Sequence, residues 1–152
     1  MADDEDQHLQ KEEGVWSVCV DSNKYQTLGF LQMCIERRFH LAVQGRFMAE
    51  TGLGETDYWI HTEIGGSPKM EHQVDAPEYC YDPPHSVRKM GWSAHGSKCG
   101  GYDGVKDELI LEALQKTLNE KPRLYPDAEH FGFFARQGQI IGEVEVLLIR
   151  PE

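Results

Sequence analysis

The chain has no apolar stretch near the roughly 18 residues a membrane-spanning helix requires. Positive charge is also scarce, with 15 Lys and Arg against 26 Asp and Glu and a net charge of −11. A mean field of that sign repels polyanions, so direct binding to a nucleic-acid backbone is not expected. Absent as well are the phosphate-cradling patterns GxxxxGK[ST] and GxGxxG, the GxSxG of a serine nucleophile elbow, and any C-x2-C pair. The opening MADDEDQHLQKEE lacks the basic start and apolar run of a secretory leader. Cytoplasmic residence is therefore the expectation, and the four cysteines read as thiols or metal ligands rather than disulfides.

What is present suits one domain of 152 residues, 39% hydrophobic and 27% charged. Six acidic residues and one lysine fall in the first 13 positions, so −5 of the net charge sits there. With almost no apolar content, residues 1–13 read as a disordered acidic tail, and residues 14–152 as a single folded unit without internal repeats.

GVWSVCV alternates like a strand, with Trp16 as a core aromatic. Asp21, Ser22 and Asn23 offer N-caps for a helix over residues 24–37, where Tyr25, Leu28, Leu31 and Ile35 recur at three and four residues. RFHLAVQGRFMAE and TDYWIHTEI follow as two strands of a hairpin, with His40 facing solvent. Periodicity then disappears over residues 65–102, which hold six of fifteen glycines and four of seven prolines and read as a long functional insertion. Asp103 caps a second helix that Pro122 ends, and HFGFFAR and QIIGEVEVLLIR form a closing hairpin turning at Gln137-Gly138. The order β-α-β-β-loop-α-β-β predicts an α+β fold, ferredoxin-like in outline: an antiparallel sheet with two helices on one face. The uncovered face makes a homodimer a further expectation.

Three constellations carry chemistry. Cys80, His85, His95 and Cys99 supply the donor types and number of a tetrahedral structural zinc site, in C-x4-H and H-x3-C pairs. The same stretch reverses the chain's charge with Arg88, Lys89 and Lys98 and leads into the second helix through Gly100 and Gly101, whose backbone donors suit an oxyanion. Tyr81 and Trp92 add flat contact area, so this loop and the following helix N-terminus predict a binder of a small anionic, nucleotide-like ligand. On IHTEI, His61 and Glu63 share a face and His72 follows, a set suited to acid–base or metal chemistry. The competing reading is an acidic interaction protein that occupies a basic surface on a protein partner. Cys19 and Cys34 read as core residues with nothing local to lower a thiol pKa, and His130 as an edge position.

Overall fold

The structure, a computed structural model, describes residues 9–69, 75–96 and 105–152. In chain order it contains a ribbon of β1 (Leu9–Glu12) and β2 (Val15–Val18), then β3 (Gly29–Cys34), α1 (His40–Thr51), β4 (Tyr58–Glu63), α2 (Asp75–Tyr81), β5 (Lys89–His95), α3 (Asp107–Leu124), β6 (Glu129–Gln137) and β7 (Val144–Ile149). Strands β3 to β7 form one sheet in the order β4-β3-β5-β6-β7. Neighbours from β4 to β6 are parallel, and only β7 runs antiparallel, against β6. Among the described residues no helix is long and apolar enough to cross a membrane.

This sheet overturns the expected antiparallel ferredoxin-like arrangement. The reversal begins at residues 24–37, expected as helix, which contain β3. All six residues of β3 are buried, and a strand covered on both faces shows no alternation. Of the four residues that suggested a helical stripe, only Leu31 lies in the core, while Tyr25, Leu28 and Ile35 are exposed. The next stretch, expected as strand, is α1: Phe39, Val43 and Phe47 are buried at a spacing of four, and Leu41 is 85% exposed. Gly52, at φ 76°, ends α1 by donating its N–H to the Met48 carbonyl.

Residues 65–102 are not one loop. They contain α2 and β5, and β5 is the middle strand of the sheet. β4 does not turn back on its predecessor but lies parallel to β3. The expected Asp103 cap lies outside the described residues; α3 starts at Asp107 and continues through Pro122 to Leu124. The closing pair β6 and β7 is antiparallel as expected. β2 is a strand, but it pairs only with β1, inside the stretch read as a tail, and Trp16 is exposed.

Helices cover both faces. Phe39, Val43 and Phe47, from α1 and the turn before it, pack with Leu31, Met33, Phe131 and Phe133. On the other face, Ile110 and Leu114 of α3 join Ala94 and Phe134, and Leu118 joins Phe30, Met90 and Trp92. Glycines set the approach distance. A Cβ on Gly91 would lie 2.7 Å from Phe47 Cδ1 and 2.8 Å from Leu31 Cδ1, and one on Gly132 would lie 2.6 Å from Leu118 Cδ2.

The α3 face also buries a polar cluster. Trp92 Nε1–H donates to His130 Nδ1 at 3.1 Å, and His130 Nε2–H donates to the Tyr125 carbonyl at 2.9 Å. Lys121 Nζ lies 4.2 Å over the Trp92 ring, which stacks on Tyr125. His130 is thus a buried neutral imidazole with both nitrogens engaged, not an edge residue. Burial first, and the Lys121 charge beside it, hold its pKa below the usual 6.5 despite the opposing bond to Tyr125.

Two outcomes follow for stability. Gly91→Val should destabilise by about 1–3 kcal/mol through overpacking against Phe47, whereas Gly45→Ala, in α1 with nothing within 4 Å, should stabilise by up to about 1 kcal/mol; urea midpoints at unchanged m-value check both. For His130 the unfolded chain binds the proton more tightly than the folded one, so its contribution is complete above pH 6.5 and is lost as pH falls through the depressed folded value. His130→Gln, which keeps an acceptor but cannot titrate, should flatten that part of the stability profile.

Candidate functional site

β3 is followed in the chain by β4 on one side of it and then by β5 on the other. The order of strands therefore reverses between β3 and β5, and open parallel sheets bind ligands beyond the carboxyl ends of strands at such a point. The pairing of β3 with β5 extends through Gln32 and Trp92, and the strands run on to end in Cys34 and His95. These two residues meet: each shifts the other's titration through a side-chain hydrogen bond and through charge.

The surroundings hold the pair in place. His95 is 3% exposed, packs tilted against Phe39 with ring centroids 4.6 Å apart, and donates Nδ1–H to the Gly96 carbonyl at 2.8 Å. Its Nε2 is buried and has no well-formed hydrogen-bond partner among the described residues. Gly65 N–H donates to Cys34 Sγ at 3.4 Å, and His40 Nε2–H donates to the Cys34 carbonyl at 2.6 Å. His40 is therefore engaged at the site rather than solvated. The Gly65 loop is locked against β5 because Ser67 Oγ, fully buried, accepts from Ser93 N–H at 3.0 Å. Gly66, at φ 69°, is required there, since a Cβ would lie 2.5 Å from the Ser93 carbonyl oxygen.

Burial would push the Cys34 thiol upward. Hydrogen bonds from His95 and from the backbone N–H groups of Glu36 and Gly65, with the imidazole charge, outweigh it and bring the thiol down to about 7. The His95 imidazole is correspondingly raised: burial opposes its charge, but Cys34, the Gly96 carbonyl and Glu36 favour it. Glu36 accepts from Arg38 N–H at 2.8 Å and pairs with the guanidinium at 3.1 Å. The first of these contacts, then the second, hold its carboxyl below the usual carboxylate range. Cys34, Glu36 and His95 line a cavity of about 10 Å³ whose other walls include the apolar Met33, Phe39, Val43 and Ala94. That is space for about one water-sized occupant. Outside it, a groove of about 610 Å³ carries Arg37, Arg38 and His40.

The residues singled out from the sequence are dispersed. Of the described members of the expected zinc set, His95 alone is in this site. Cys80 is buried in the cluster with Phe30 and Trp92, where burial pushes its thiol up to about 11. His85 packs on Trp59 and Tyr79, and Cys99 lies outside the described residues. Among the described residues no three metal-ligating groups converge. Of the ligand-binding set, Trp92 is fully buried. Lys89 Nζ donates to the Thr51 carbonyl at 2.6 Å, Arg88 donates to the Tyr81 and Val87 carbonyls, and the Tyr81 hydroxyl bonds Asp127. Lys98, Gly100 and Gly101 lie outside the described residues, as does His72. His61 and Glu63 do share a face of β4, with His61 Nδ1 3.2 Å from Gln32 Nε2.

Cys34 is the residue the sequence reading missed. The misread strand hid it, because only as the last residue of a parallel strand does it stand at the end of the sheet. Cys19, read with it as core, is exposed.

No family model and no curated protein matches the sequence. Solved structures do share its fold. A carbonic anhydrase from Glaciozyma antarctica superposes with a TM-score of 0.52 at 11% identity, over 80% of this chain and 82% of that one. The beta-carbonic anhydrase CcaA superposes with a TM-score of 0.51 at 13% identity, over 86% of each chain. At these identities the likeness shows the fold: a mostly parallel five-stranded sheet of the kind found in beta-carbonic anhydrases.

Proposed function

We propose that this protein is a small zinc enzyme that hydrates an uncharged substrate of carbon dioxide's size at the Cys34–His95 site. The observation that carries the reading is the buried His95 Nε2 without a well-formed hydrogen bond, in contact with a thiol near neutrality, on a cavity with space for one small occupant. A thiolate and an imidazole are the donors zinc prefers. Cys34 and His95 would hold the ion, with Cys99, four residues beyond His95 in the sequence, as third ligand. The pair fits the metal on this chain's own chemistry: Nδ1–H on the Gly96 carbonyl leaves the Nε2 lone pair as the ligand and fixes the ring.

Bound there, zinc supplies an acidified water at neutral pH. The remaining work falls to the chain. Glu36, kept ionised by Arg38, accepts a hydrogen bond from water and orients it without donating a proton. Met33, Phe39, Val43 and Ala94 give the metal's own cavity a dry wall, and an uncharged substrate would reach it from the groove outside. The groove bearing Arg37, Arg38 and His40 suits an anionic product, which moves the anion-binding expectation from the β5 region to the turn after β3. Carbon dioxide is the first substrate to test because both structural neighbours are named as carbonic anhydrases.

Elemental analysis of the purified protein should find one zinc per chain, and Cys34→Ser and Cys99→Ser should each lose it while retaining the far-ultraviolet circular dichroism of the parent. A metal-free parent that stays inert after zinc addition would end the proposal. In stopped-flow carbon dioxide hydration, Glu36→Gln should keep its zinc and lose about 10²-fold in turnover, the scale of a lost positioning contact.

A further inference from the structure

We propose that two copies of this chain associate by exchanging their N-terminal ribbons, the ribbon of each seated on the groove of the other that carries Arg37 and Leu41. The ribbon brings an apolar stripe. Alternate residues of a strand share a face, so Trp16 and Val18 of β2 lie together, with Val20 continuing the alternation; they are 67%, 50% and 52% exposed. None of the three core clusters includes them, and β1 and β2 form a sheet of their own. A continuous apolar stripe left on the surface marks a place where another molecule docks. The same end of the chain is strongly acidic, with six acidic residues and one lysine in positions 1–13.

Charge selects the receiving surface. The groove between β4 and α2 has aromatic walls, but Asp75 lines it and Glu78 follows on α2, so it repels an acidic segment. The groove of about 610 Å³ beside the Cys34–His95 cavity has the opposite character: Arg37 and Arg38 line it together with Leu41, which is 85% exposed. Arg38 is paired with Glu36, whereas no carboxylate pairs with Arg37 among the described residues. In a chain of net charge −11, an arginine without a counter-ion beside a bare leucine is complementary to an acidic, apolar segment. The connection to the sheet favours a segment from a second copy. Gln26 and Leu28 donate their N–H groups to the Thr56 and Asp57 carbonyls, which fastens the chain between ribbon and sheet at the amino end of β3. Arg37 follows the carboxyl end, six residues or about 20 Å along the strand. A two-fold pair makes the contact twice and closes on itself. This association does not rest on the zinc reading, but it bears on it: the ribbon would cover the arginines that suit an anionic product, so the two would compete.

Sedimentation equilibrium of the full-length protein at low salt should show a dimer with a dissociation constant in the micromolar range, weakening as salt is raised from about 50 to 500 mM. Arg37→Glu and Trp16→Ser, both at exposed positions outside the core, should each weaken it by about tenfold. A benzophenone photo-crosslinker in place of Trp16 should give a covalent dimer joined to the peptide of the other chain that contains Leu41. Neither readout depends on zinc. A protein that stays monomeric up to about 100 µM, a dimer unmoved by both substitutions, or a crosslink that stays within one chain or lands on the β4–α2 groove would each overturn the proposal.

Discussion

β5 lies beside β3 and not beside β4, its predecessor in the sheet, and most of the molecule's chemistry depends on that placement. It puts two strands that are 60 residues apart at their Cα-paired ends, Gln32 and Trp92, in contact through the centre of the sheet. Their carboxyl ends then deliver a thiol and an imidazole to one point. Because β3 and β5 are covered by helices on both faces, nothing at those ends can shift without disturbing the packing of α1 or α3. Tight packing of this kind is what lets a buried ionisable pair persist where solvent would separate it.

The same burial explains what could and could not be read from the sequence. α3 was visible because Ile110, Leu114 and Leu118 repeat at a spacing of four with polar residues between them. β4, β6 and β7 were visible because each is a β-branched or aromatic run bounded by turn residues. β3 and β5 were not, since GFLQMC and all of KMGWSAH but its first residue are buried and show no period, and β5 begins three positions after the turn-forming Ser86 at φ 52°. Losing those two strands meant losing the parallel sheet, and with it the site. His95 was singled out, but for a partner set built on sequence proximity. Its neighbour Cys34 stands 61 positions earlier, and only the topology brings the two together.

Charge tells a parallel story. Arg88 and Lys89 read as an exposed basic patch, yet both are spent on backbone carbonyls, Lys89 at the end of α1 and Arg88 on the turn after α2. Carbonyls at a helix end carry partial negative charge, so a lysine there neutralises a dipole and joins two elements. The basic residues that line an open groove are instead Arg37, which the helical reading had absorbed, and Arg38, which the strand reading had absorbed and which pairs with Glu36. A local reversal of charge is therefore a useful signal only once it is known which carbonyls lie within reach.

β1 and β2 form a sheet of their own, and every residue of β2 is exposed. An isolated two-stranded hairpin is marginal in water. The ribbon is therefore expected to open more readily than β3 and β5, whose residues lie inside the packed sheet. The molecule has two thermal scales in one chain. Val15, Trp16 and Val18 are exposed on that ribbon, so a neighbouring surface meets them without any change in the sheet that carries Cys34 and His95.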